Sequence, residues 1–175
     1  MRKTFLVLFA FVLAQSAAFA DTIYNNSAQV NTAIVFFGSP ASESTFGETF
    51  AAPAGSDTSL KSFSLFLSTW FGVGATGELQ GYIGTWTGTQ VGSLLYSSPL
   101  TPLTGNDQEL TFDTGGLDLT AGAEYVAFIS NAGSEYSSFS GYDGMPGVNG
   151  FATIPGGQFV WMDNGSDTSQ FASTP

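Results

Sequence analysis

The chain has 175 residues, 43% hydrophobic and 15% aromatic, with no cysteine, no histidine, and 3 basic residues against 14 acidic ones for a net charge of −11. Without histidine, Ser-His-Asp and Cys-His hydrolysis, His-ligated zinc or haem, and histidine acid-base catalysis are excluded; without cysteine, the fold must hold without disulfides. So acidic a surface repels phosphate backbones and anionic lipid heads, which excludes nucleic acid and anionic membranes as partners and leaves neutral ligands, calcium and carboxylate chemistry.

Residues 1–20 read as a secretory signal peptide: Arg2 and Lys3, an apolar run from Phe5 to Leu13, then Ala18-Phe19-Ala20 before Asp21. The run is too short to cross a hydrocarbon core of about 30 Å. Cleavage after Ala20 leaves residues 21–175, enough for one domain with a sizeable core, secreted to the exterior or the cell surface. Lys61 is then the single cation against 14 carboxylates, a net charge of −13. Solubility alone accounts for that acidity.

After the signal, short alternating segments separated by Gly, Ser, Thr, Asn and Asp predict an all-β antiparallel protein. The expected strands, in order, are Ala33 to Phe37, Gly47 to Ala51, LKSFSLFLSTW from Leu60, LQGYIGTW from Leu79, Gly92 to Tyr96, Glu109 to Asp113, Glu124 to Ser130, and Gln158 to Asp163. In the third, Phe63, Leu65 and Leu67 oppose Ser62, Ser64 and Ser68, giving one buried and one wet face. In the fourth, Leu79 and Ile83 oppose Tyr82 and Trp86, so its second face is aromatic. The pattern fits a jelly-roll-like or Greek-key β-sandwich without an internal repeat or domain boundary. Asn131 to Gly157, rich in glycine and carrying Tyr136, Phe139, Tyr142 and Phe151, is a long excursion that either serves function or is a plain loop with a short strand.

Phe112-Asp113-Thr114-Gly115 has the form of an aspartic-protease motif. That chemistry needs two carboxylates about 3 Å apart sharing one proton. The chain has only one Asp-Thr-Gly, and the downstream apolar segment Phe128-Ile129-Ser130 lacks the bracing glycine. Leu119-Thr120-Ala121-Gly122-Ala123-Glu124-Tyr125 instead spells L-x-x-G-x-x-Y and runs into an apolar strand, as in the tyrosine corner of Greek-key sandwiches. There Tyr125 bonds backwards to backbone, Gly122 makes the bend and Leu119 packs beside it, so Thr114-Gly115-Gly116 becomes a turn and Asp113 ends a strand.

Asp163 and Asp167, around Asn164-Gly165, can offer oxygens to calcium but lack EF-hand spacing, and an Asn-Gly turn explains them more simply. No carboxylate pair stands out for glycoside hydrolysis. Trp86, and Tyr136, Tyr142 and Asp143 in the glycine-rich segment, are the candidates for stacking on sugars, although most aromatics of a sandwich are core.

GETFAAP (Gly47 to Pro53), LKSFSLFL (Leu60 to Leu67), the Leu79 to Trp86 strand, Gly92 to Ser97, TFDTGGLDLTAGAEYVAF and FVWMDNGSD together resemble secreted sandwich domains of Gram-negative bacteria, of the PEP-CTERM, exosortase-sorted kind. The resemblance implies a non-catalytic exported surface or extracellular-matrix protein; the partners expected of such a chain are an extracellular polysaccharide or another surface protein. The alternatives are a carbohydrate-binding module and, third, a carboxylate-dependent hydrolase. The chain departs from that group in stopping at Ser173-Thr174-Pro175 without the Pro-Glu-Pro motif, hydrophobic helix and basic tail. The expectation is a chain without the anchor and lacking a final strand, with an edge open to a partner's strand.

Overall fold

The structure, a computed structural model, describes residues 44–55, 58–68, 74–105, 107–132, 140, 154 and 156–172, and the backbone alone of 32–38 and 142–147. The signal peptide and Tyr136 lie outside these residues. Ten strands are described: β1 Thr32–Gly38, β2 Thr45–Ala51, β3 Ser59–Leu67, β4 Thr76–Trp86, β5 Val91–Ser97, β6 Thr101–Thr104, β7 Gln108–Asp118, β8 Glu124–Ser130, β9 Tyr142–Gly147 and β10 Phe159–Met162. A 3-10 helix, Thr168–Ala172, follows.

The main sheet is antiparallel in the order β10-β2-β8-β4-β5, with β6 pairing the first residues of β4. β3 pairs β7, and β1 pairs β9, as two further antiparallel ribbons. Strand β8 shows why this is a sandwich: every residue from Tyr125 to Ser130 is buried, so both faces of the main sheet are covered there. On the inner face Phe46, Leu79 and Ile129 meet Leu65, Leu67, Leu110 and Phe112 from the β3-β7 ribbon. The close approach depends on Gly81, where a Cβ would lie 2.7 Å from the Phe112 ring. The ribbon is also tied to the far edge of the sheet, since the Tyr96 hydroxyl donates to the Asp113 carbonyl at 2.9 Å.

The expected turn at Thr114-Gly115-Gly116 is corrected by the structure: β7 continues to Asp118. Ser62 pairs with Asp113 but Leu60 pairs with Leu117, so Thr114 to Gly116 form a bulge inside the strand. Gly115 and Gly116 have φ of 68° and 87°, dihedrals that serve a bulge as readily as a turn. The Thr114 hydroxyl donates to the Leu60 carbonyl and closes the bulge against β3.

Just beyond, the chain crosses from the ribbon to the main sheet. Tyr125 is buried, and its hydroxyl accepts a hydrogen bond from Thr120 N–H at 2.8 Å. Ala123 N–H donates to the Thr120 carbonyl at 3.0 Å, Gly122 sits at φ 71°, and Leu119 and Ala52 pack around the tyrosine. Removing the hydroxyl by Tyr125→Phe leaves Thr120 N–H to half-exposed solvent, and we expect a loss of about 1 kcal/mol in urea unfolding with the fold retained. An unchanged unfolding midpoint would show that the hydroxyl contributes nothing to the corner.

One strand, β6, was not among those expected, and a second, β9, is the short strand left open within the glycine-rich excursion. β6, Thr-Pro-Leu-Thr, carries Pro102, tolerable because among the described residues this short strand has a partner, β4, on one side only. β9 lies within the glycine-rich excursion and pairs across more than a hundred residues with β1.

Candidate functional site

The outer face of the main sheet carries a second apolar cluster. Alternation along β4 and β8 sends Tyr82, Val126 and Phe128 to this side, opposite Leu79 and Ile129. Tyr82 and Phe128 stack at 5.0 Å, and Phe171 of the 3-10 helix meets both edge-on at 5.3 and 5.2 Å. Burial pushes the Tyr82 hydroxyl's pKa up. Beside this cap is an apolar hollow of about 20 Å³, lined in part by Trp86, Val91, Val126, Val160 and Phe171. Its enclosed space has the size of about one water, and it opens to solvent beside the Trp86 indole.

A buried polar clasp holds the cap in place. Asn164 Oδ1 accepts from the hydroxyls of Ser44 at 2.5 Å and Thr45 at 2.8 Å, and its Nδ2 donates to the Asp167 carbonyl at 2.7 Å. With the Thr45 proton given to Asn164, Ser130 Oγ donates to Thr45 Oγ1 at 2.7 Å, and the Ser44 carbonyl lies 3.2 Å from the same hydroxyl. These side chains are all at least nine-tenths buried, so the start of β2, the end of β8 and the chain after β10 are joined where water cannot compete.

Trp86 is half-buried at the rim of the hollow, packed on the outer cluster. Tyr142 and Asp143 lie on β9, opposite Gly38 and Phe37, and their side chains are outside the described part. Ser140, two residues before Tyr142, bridges to Thr76 at the other end of β4 from Trp86. Ten residue steps of strand separate those ends, about 33 Å at the usual rise, so the backbone just before Tyr142 lies far along β4 from Trp86.

Asp163 is exposed after β10. Asp167 caps the 3-10 helix: Oδ1 accepts from Ser169 N–H at 2.9 Å and Ser169 Oγ at 2.6 Å, and Oδ2 from Gln170 Nε2 at 3.0 Å. The bonds from Ser169 and Gln170 hold this carboxyl below its ordinary pKa of 3.8. A turn at Asn164-Gly165 is present, with Asp167 N–H donating to the Asn164 carbonyl at 3.0 Å and Gly165 at φ 52°, but it leads from β10 into the 3-10 helix and does not join two strands as expected. Among the described residues no group of three or more acidic side chains is placed to hold a metal.

The lowered Asp167 pKa gives a signed expectation. A carboxyl depressed in the folded state contributes stability above its unfolded value, and that contribution fades as pH falls through the folded value. Amide protection of the 3-10 helix should therefore hold above pH 3.8 and decline below it. In Asp167→Asn the helix should be less protected at neutral pH and lose this acid step; an identical pH profile in the variant would remove Asp167 from the cap.

Asp113 is exposed on β7, and its Oδ1 accepts the Gly115 N–H at 2.8 Å. The carboxylate thus shapes the bulge. Its charge, after burial, adds to the upward shift of the Tyr96 hydroxyl's pKa. The clasp of Ser44, Thr45, Ser130 and Asn164 has no counterpart among the sequence candidates, because its members are small polar residues up to 120 positions apart. No family model, curated protein or solved structure matches the chain.

Proposed function

We propose that this chain is an exported, non-catalytic component of the cell surface or extracellular matrix, a sandwich that acts by presenting its surfaces. The observation that carries this is Asp113: the aspartate of the only protease-like motif in the sequence is engaged in shaping a β-bulge. The remaining support is chemical. Histidine and cysteine are absent from the sequence, and Asp167, one of the two calcium candidates, has both carboxylate oxygens occupied by helix-capping bonds.

The experiment is expression with the native leader in a Gram-negative host, followed by fractionation and N-terminal sequencing. The expected product begins at Asp21 and is found outside the cytoplasm. A chain that stays cytoplasmic with Met1 in place would overturn the export half of the proposal.

The second reading, carbohydrate binding, rests on Trp86, whose half-buried indole borders the outer hollow. Retention on an immobilised neutral polysaccharide that Trp86→Ala abolishes, with the melting temperature kept, would favour it over a purely scaffolding role.

A further inference from the structure

The two edges of the main sheet are built differently. Strand β5 is irregular, with register shifts between Ile83 and Gly84 and again between Gly84 and Trp86, and such bulges blunt an edge against pairing. Strand β10 pairs β2 over Phe159, Val160, Trp161 and Met162 with no shift, and nothing among the described residues pairs with its other side. It contains no charged residue and no proline, the usual protections of an open edge.

The hydrogen-bond phase of that edge is fixed. Thr49 N–H donates to the Gln158 carbonyl at 2.9 Å, so in the β10-β2 register the hydrogen-bonded pairs fall at Gln158, Val160 and Met162. By alternation the N–H and C=O of Phe159 and Trp161 point away from β2. Trp161 is also the one aromatic among the large hydrophobic side chains exposed in the described structure, at 45%, and its ring stacks on Phe159 at 5.9 Å.

We infer that β10 is a self-pairing edge, and that its occupant is the β10 of a second copy of this chain, antiparallel about a twofold axis at Val160. The register is self-complementary. Phe159 of one copy faces Trp161 of the other, and the two outward-pointing residues, two positions apart, match the spacing of successive hydrogen-bonded pairs in an antiparallel ladder. Each copy satisfies the other's free backbone groups, and an aromatic pair forms across the seam on each side of the axis.

The size and charge of the seam set its strength. Two four-residue strands cover far less than the roughly 1,200–2,000 Å² of a stable interface, so the pairing is reversible and appears with concentration. The chains are acidic, so repulsion opposes it, and it strengthens as salt shortens the Debye length from about 10 Å at 0.1 M to about 3 Å at 1 M.

The test is sedimentation of the folded protein in about 0.5 M salt up to about 1 mM, with amide exchange on the same samples. The average mass should rise towards that of a dimer. The amides of Phe159 and Trp161 should become protected with concentration, while that of Val160, bonded inwards to β2, is protected throughout. Trp161→Pro, which removes an outward donor, and Trp161→Glu, which puts a charge in the seam, should both remain monomeric; Leu94→Lys on β5 should associate like the wild type. Three results would overturn the inference: a monomer throughout, association that survives Trp161→Glu, or association lost in Leu94→Lys. A persistent monomer would leave β10 to the strand of a different protein.

Discussion

Phe128→Ala is expected to destabilise the fold by about 3–5 kcal/mol, the cost of emptying a large buried aromatic site. Phe128 is 1% exposed at the centre of the outer cluster, between the Tyr82 ring and the edge of Phe171. The site cannot collapse easily. Across the ladder Gly47 has no side chain to move in, and its backbone is so close that a Cβ there would lie 2.5 Å from the Phe128 Cβ. The cavity left by the ring should therefore persist, with its lining deprived of contacts on one side. Urea unfolding should show the loss as a lower midpoint at nearly unchanged slope. At about 2–4 °C per kcal/mol for a domain of this size, the melting temperature should fall by roughly 10 °C. A loss below about 1 kcal/mol would mean that the outer face behaves as surface, and that Phe171 covers it without closing a core.

Asn164→Ala is expected to cost about 2–3 kcal/mol and to act first on the end of the described chain. The substitution removes an acceptor shared by the buried Ser44 and Thr45 hydroxyls, and a donor to the Asp167 carbonyl at the partly exposed start of the 3-10 helix. The buried groups left without partners carry most of the penalty. The clasp is also what ties the 3-10 helix to β2 and β8, so its loss should release Phe171 from Tyr82 and Phe128. Amide exchange should accelerate in residues 164–172 before it does in β8. Uniform acceleration through the whole sheet would show instead that clasp and sheet open as one unit.

Much of the architecture was legible where one strand carries its own signal. The alternation of Phe63, Leu65 and Leu67 announced β3, and the apolar run from Tyr125 to Ile129 announced β8, because burial of one or both faces imposes those patterns locally. Tyr125 and Gly122 were readable for a similar reason, since the corner is closed within a few residues. Thr114-Gly115-Gly116 was misread because glycine at positive φ signals a turn and a bulge alike, and only the partner strand decides between them. β6 and β9 were missed or left open because proline and glycine obscure the alternation while a distant partner supplies the pairing. Trp86 and Tyr142 were legible as aromatic candidates, but where each sits along β4 follows only from pairings such as the Thr76 to Ser140 bridge, which no local pattern announces. The clasp had no sequence signal, because serine, threonine and asparagine read as turn residues until the fold buries them together.

Asp113 carries the choice between a scaffold and a hydrolase, and a conservative substitution there separates the two. Asparagine in its place keeps an oxygen able to accept the Gly115 N–H, so Asp113→Asn should fold and melt like the wild type. Purified wild type and Asp113→Asn should then be compared on peptide and glycoside libraries across acid and neutral pH. The expected result is background turnover in both. Turnover by the wild type that vanishes in Asp113→Asn, at an unchanged melting temperature, would contradict a non-catalytic role.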